Sequence, residues 1–140
     1  MRPILAVEDD EADIEAIREG FQRDFPAREV VFVRDGAAAL ELICGERRKT
    51  IDPALIMLDL SVPVVNGGEM LQMLKKNPQT SYIPVVVFTD HQTENVRREA
   101  YGLGATAYVV KPFSRSKFIE TVCRIGRFWL EKNRLPPVSA

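Results

Sequence analysis

A chain of 140 residues, 46% hydrophobic and 28% charged, is sized for one globular domain whose core needs no disulfide or metal staple. Lys plus Arg number 19 against 20 Asp plus Glu, a formal net charge of -1. That balance excludes the broad electrostatic footprint of a nucleic-acid binder or of a protein held on an anionic membrane.

No apolar run approaches a membrane span, and Met1-Arg2-Pro3-Ile4 leads into acids rather than a signal peptide. Cys44 and Cys123 have no metal-ligand spacing and lie in apolar helical patterns. They read as reduced core residues of a cytoplasmic protein. Glu46-Arg47-Arg48-Lys49 is a short basic run that reads as a solvated loop.

Pro3 to Val7 reads as a first strand, ended by Glu8-Asp9-Asp10. From Ala12, the residues Ile14, Ile17, Phe21 and Phe25 fall three or four apart, the stripe of an amphipathic helix stopped by Pro26. Val30 to Val33 is a second strand, and Asp35 caps a helix over Ala37 to Cys44. A polar connection, 45–53, leads to the third strand, 54–58, which runs without a break into Asp59. Met70, Leu71 and Leu74 mark a short helix closed by Asn77-Pro78. Pro84 to Phe88 is a fourth strand, followed by Thr89-Asp90-His91 and a polar helix from Thr93 to about Tyr101. Thr106 to Val110 is a fifth strand, ended by Lys111-Pro112. A last helix from near Ser114 carries Phe118, Val122, Ile125 and Trp129 on one stripe, and Leu135-Pro136-Pro137 ends it, leaving a tail.

Five alternations of strand and helix predict an α/β fold: a doubly wound, five-stranded parallel sheet, with order 2-1-3-4-5 favoured. Unbroken apolar strands are those buried on both faces of such a sheet. Ligands then sit beyond the carboxyl ends of the strands, at the switch point between strands 1 and 3.

The polar residues leaving those strand ends are Glu8, Asp9 and Asp10 from strand 1, Asp59 from strand 3, Thr89 and Asp90 from strand 4, and Lys111 from strand 5. Taken alone, Asp59 is at least as readily a helix cap or turn aspartate, Thr89 a cap, and Lys111 a solvated lysine. Together they are far more specific. Several carboxylates at one edge repel each other unless a cation sits among them. Hard oxygen donors suit Mg²⁺, which also takes phosphate oxygens. With a lysine and a hydroxyl added, the set can hold a phosphoryl group on a carboxylate nucleophile.

These residues resemble the receiver domain of two-component response regulators over about residues 3–127. The match is carried by Glu8-Asp9, Asp59, Pro63, Gly67, Thr89, Tyr108 and Lys111-Pro112, with Lys111 lying 22 residues after Thr89. The resemblance implies the flavodoxin-like receiver fold, with residues 1–127 as the receiver domain and 128–140 as an extension of the last helix and tail. It implies that Asp59 accepts a phosphoryl group from the phosphohistidine of a sensor histidine kinase. Mg²⁺ would be held by Asp9, Asp59 and the main-chain carbonyl of Ser61, with Glu8 assisting through water. Lys111 would pair with the acyl phosphate and Thr89 would swing in to a phosphate oxygen. Tyr108, otherwise a plain core residue, would follow Thr89 and alter the surface of the fourth helix, fifth strand and fifth helix. The Lys111–Pro112 bond would be cis. Such a protein assists its own phosphorylation and dephosphorylation rather than turning over a separate substrate.

The sequence departs from the usual pattern at Asp90, left unassigned or as a cap of the fourth helix, and at Asn66, read as a turn residue. His91 and Ser61 stand where the family tunes the lifetime of the phosphoryl group. The ending around Phe128-Trp129-Leu130-Glu131 and the long 45–53 connection resemble stand-alone receivers paired with cyanobacterial and bacterial phytochrome kinases. Phe128 and Trp129 either cover the core or contribute, with the fourth helix, fifth strand and fifth helix, to a homodimer or partner surface. An aspartate-based phosphohydrolase, a non-phosphorylated scaffold and a flavin module are the other readings. Ser61 in place of a second aspartate weighs against the first. The intact Asp59, Thr89 and Lys111 weigh against the second, and the acids after strand 1 against the third.

Overall fold

The computed structural model describes residues 1–45, 51–62 and 66–137. Its strands are β1 (Ile4–Val7), β2 (Val30–Val33), β3 (Leu55–Leu58), β4 (Val85–Thr89) and β5 (Ala107–Val110). They alternate with α1 (Glu11–Asp24), α2 (Gly36–Cys44), α3 (Gly67–Lys76), α4 (Glu94–Gly102) and α5 (Arg115–Gly126). All strand pairs are parallel, in the order β2-β1-β3-β4-β5. The doubly wound sheet read from the sequence is the sheet observed.

Alternation along the strands divides the core into two layers. Leu5, Val7, Ile56, Leu58, Val85 and Val87 join Met70, Leu71 and Leu74 of α3 on one face. Ile4, Ala6, Leu55, Met57, Val86 and Phe88 join Ile17, Phe21, Phe118 and Val122 of α1 and α5 on the other. Both faces are covered, so β1, β3 and β4 are buried at every position while β2 and β5, at the edges, are half-buried. Fully burying a Leu, Ile or Phe side chain contributes roughly 1.5–3 kcal/mol.

Side chains at the helix starts fix where each helix leaves the strand ends. Asp10, Asp35, Asn66, Thr93 and Ser114 each accept a hydrogen bond from a backbone N–H of the first turn. Asp35 is the cap expected of it. Asn66 is more than a turn residue, because its amide also donates to Glu69 Oε1 at 2.8 Å, a reciprocal cap. Thr93 caps α4, so Asp90 does not. The reversal after α4 needs Gly104, whose φ of 110° lies in the left-handed region open to glycine.

Several expectations are corrected. Cys44 is exposed, since it ends α2 on the side turned away from the sheet; Cys123 is buried as expected, and both thiols are free. The Lys111–Pro112 peptide is trans, the isomer an X-Pro amide intrinsically prefers, and no cis bond occurs among the described residues. The last helix runs on past Gly126 through Trp129, as its apolar stripe led one to expect; what differs is its winding. It continues as a π-helical segment, Arg127–Lys132, with the Asn133 N–H donating to the Phe128 carbonyl at 2.9 Å. Beyond it Arg2 Nη2 donates to the Pro136 carbonyl at 2.8 Å, so the segment at Pro136 lies against the entry to β1. The basic run 46–49 and Pro63 lie outside the described residues. No helix among the described residues is long and apolar enough to cross a membrane.

Candidate functional site

The register of the sheet brings the candidate residues to one edge. Val7 pairs with Leu58, so Glu8 and Asp59 leave adjacent strands at the same level, and the Asp59 N–H donates to the Val7 carbonyl at 3.1 Å. Thr89 pairs with Val110, and the Lys111 N–H donates to the Thr89 carbonyl at 2.8 Å. Glu8, Asp59, Thr89 and Lys111 are all buried, in a protein whose other charged side chains are mostly at the surface.

Lys111 Nζ is the centre of the arrangement. It lies 2.8 Å from Glu8 Oε2, 2.8 Å from Asp59 Oδ2 and 2.7 Å from Asp13 Oδ2. Each ammonium N–H therefore has a carboxylate partner. The remaining Glu8 oxygen accepts from the Asp9 and Asp10 N–H groups at 3.1 and 3.2 Å. Asp59 Oδ1 accepts from the Ser61 N–H and hydroxyl at 3.0 and 2.9 Å. The close approach of α3 behind Asp59 depends on Gly67. A Cβ there would stand 2.6 Å from Leu60 Cα and 2.8 Å from the Asp59 carbonyl oxygen.

Electrostatics separate the two acids. Burial, outweighing the bond from Lys111, pushes Glu8 up to about 7, and the charge on Asp59 adds to the rise. Burial acts on Asp59 in the same direction, but the bonds from Lys111 and Ser61 win and its carboxyl is held below the ordinary range. Lys111 is penalised by burial, yet bonds from Asp13, Asp59 and Glu8 hold its ammonium more firmly protonated than a free lysine. Of the two acids, Asp59 is thus the one held in its ionised form.

Three carboxylates face one ammonium, with the exposed Asp9 next to them. That excess of negative charge and the raised Glu8 are what a site for a hard cation presents. Among the described residues no three His, Cys, Asp or Glu side chains group as they would for a metal held by side chains alone. Two carboxylates, one carbonyl and several waters satisfy Mg²⁺ without such a group, so the donors fit the ion.

Thr89 is buried, and its Oγ1 accepts from the His91 N–H at 3.4 Å. Tyr108 is half-buried, packed against the α2–α3 layer, and its hydroxyl donates to the His91 carbonyl at 2.8 Å. Asp90 and His91 are exposed. Phe128 is 52% exposed and meets Trp129 edge-on at 4.8 Å, while Trp129 packs on the α1–α5 layer, far from this edge.

Asp13 is the residue sequence reasoning missed. It lies in the first turn of α1, where an acid is ordinarily read as a helix-dipole partner. The available signal was its place four residues after Asp9, one turn along a helix that starts at the strand end.

The profile of the response regulator receiver domain family matches residues 4–123. Response regulator Rcp1 of Synechocystis is 36% identical over 135 residues, covering 95% of this chain and 92% of its own. The phosphorylated cyanobacterial phytochrome response regulator RcpA superposes with a TM-score of 0.91 at 36% identity, over 97% of this chain and 99% of its own. The Mn²⁺-bound form of Rcp1 gives 0.90 at 34% identity, over 98% and 100%. Receiver domains bind a divalent metal, accept a phosphoryl group and serve two-component signalling. With the fold, the site edge and these likenesses in agreement, the chain belongs to the response regulator receiver domain family.

Proposed function

We propose that this protein accepts a phosphoryl group on Asp59 from the phosphohistidine of a sensor histidine kinase. The observation that carries the reading is the buried Asp59–Lys111 pair at 2.8 Å, with Asp59 held ionised. An Asp59 oxygen attacks phosphorus, the donor P–N bond breaks, and its electron pair returns to the imidazole nitrogen. Lys111 offsets charge on the transferring oxygens, and the Thr89 hydroxyl supplies a further donor once it turns toward them. The site would hold Mg²⁺ through Asp9, Asp59 and the Ser61 carbonyl, with Glu8 acting through water. When bound, the ion offsets the charge that builds on the phosphoryl oxygens.

Output would follow from the Tyr108–His91 contact. If Thr89 leaves the His91 N–H for the phosphoryl group, the loop into α4 loses one of its two ties, and Tyr108 follows. The α4–β5–α5 surface then differs between the two states. Residues 1–127 would form the receiver unit and 128–140 its extension, with Phe128 and Trp129 contributing to a homodimer or partner contact. The likeness to RcpA and Rcp1 supports a phytochrome-type kinase as the donor. A cytoplasmic location and the absence of nucleic-acid or membrane partners go with this role and with the charge balance.

A kinase autophosphorylated with labelled ATP and purified from it tests the reading. Label should pass to the wild-type chain and not to Asp59→Asn. Label that stays on every kinase tried, or reaches Asp59→Asn equally, contradicts it.

A further inference from the structure

The three partners of Lys111 are not held alike. Glu8 is fixed by two backbone N–H groups on its other oxygen, and its side chain is almost without solvent access. Asp59 is fixed by Ser61 through two bonds on its other oxygen. Asp13 has Lys111 as its carboxylate's partner among the described residues, and its side chain is 25% exposed, against 3% for Glu8 and 8% for Asp59. It borders a cleft of about 560 Å³ that opens beside Lys111 between the start of α1 and the β5–α5 connection, lined also by Ala12, Asp90, Pro112 and Phe113.

All three N–H groups of Lys111 are used, so a phosphoryl oxygen can gain one only by displacing a carboxylate. The partner with least other support, and with water to return to, is Asp13. We propose that Asp13 is a positioning residue that latches Lys111 in the resting protein and competes with the incoming phosphoryl group for it. Asp13 also adds negative charge at the rim of the cleft beside Lys111, which opposes binding of an anionic donor there. The latch lowers affinity for phosphodonors and ties the first turn of α1 to the phosphorylation state of Asp59.

This inference rests on Asp59 as the phosphoacceptor, and the test separates the two. Wild type, Asp13→Asn, Asp13→Ala and Asp13→Glu are titrated with beryllofluoride, and separately with acetyl phosphate, at saturating Mg²⁺, with thermal melts to show that each variant is folded. Asn and Ala should bind beryllofluoride several-fold more tightly and reach half-maximal phosphorylation at a several-fold lower donor concentration. The gain should fall on that concentration rather than on the maximal rate, and Glu, which keeps the charge, should return toward wild type. A variant that merely loosened the fold would lower the maximal rate instead. Unchanged or weaker binding in both Asn and Ala, with wild type responding normally, overturns the latch. A wild type that neither binds beryllofluoride nor takes a phosphoryl group overturns the Asp59 reading and the latch with it.

Discussion

Lys111 Nζ and Asp59 Oδ2 stand 2.8 Å apart although 52 residues separate them in the chain. Parallel pairing of β3, β4 and β5 makes the contact, and Glu8 and Asp13 complete a buried cluster that carries more acid than base. Lys111→Met removes the only cation among these four side chains and leaves Glu8 and Asp59 buried and opposed. The expected loss of stability is about 3 kcal/mol near neutral pH, read from urea unfolding. The loss should shrink at about pH 5, where Glu8 takes up a proton, and Mg²⁺ should restore part of it at neutral pH.

The pH dependence of stability has a defined sign. Glu8 is raised from 4.5 to about 7, so between those values the folded protein holds a proton that the unfolded chain has released. The associated stability is complete below about pH 4.5 and is lost as pH rises through 7. Asp59 has the opposite sign, because its lowered value gives stability present above about pH 3.8 and lost as pH falls. Urea midpoints for the wild type should therefore decline from about pH 5 to pH 8. Glu8→Gln should lack that decline, the difference reaching at most about 3 kcal/mol at the shift given. Parallel curves for the two proteins would show that Glu8 is not the titrating group.

Gly67→Ala tests the close approach behind Asp59. The added Cβ meets Leu60 and the Asp59 carbonyl, both backbone, so the connection between β3 and α3 must move. A loss of about 1–3 kcal/mol is expected. Phosphorylation should slow as well, because the displaced backbone carries Asp59 itself. Asn66→Ala, which removes only the α3 cap, should cost about 1 kcal/mol and leave the rate much closer to wild type.

Tyr108→Phe removes the bond to the His91 carbonyl at the cost of about 1 kcal/mol. Amide hydrogen exchange should rise in the 90–93 segment and the first turn of α4, with the sheet unaffected. Protection unchanged in that segment would mean that Tyr108 does not secure the loop.

The dimer surface is tested by light scattering with and without beryllofluoride and Mg²⁺. A mass above the monomer that is lost in Phe128→Ala supports the proposed contact, since Phe128 is half-exposed while Trp129 rests on the α1–α5 layer. A monomer under all conditions removes it.

The sequence carried the architecture because periodicity and capping act locally. Unbroken apolar runs marked β1, β3 and β4, and Asp35 marked the start of α2 as the structure has it. The site edge was legible for the same reason, since parallel strands with known ends place Glu8, Asp59, Thr89 and Lys111 together. What was not legible depends on direction rather than order. Asp13 enters the site because the first turn of α1 leans back over the strand ends, and Cys44 leaves the core because α2 ends with it on the outer side. The continuation past Gly126 was legible from the Trp129 stripe, but its π winding and the Arg2–Pro136 contact follow from how the last helix meets the far end of the sheet.

The most direct test of the account is intact mass after incubation with acetyl phosphate and Mg²⁺. The wild type should gain one phosphoryl group, chelation of the metal should prevent the gain, and Asp59→Asn should show none. A gain that persists in Asp59→Asn, or a wild type that stays unmodified with metal and donor in excess, would contradict the assignment of Asp59.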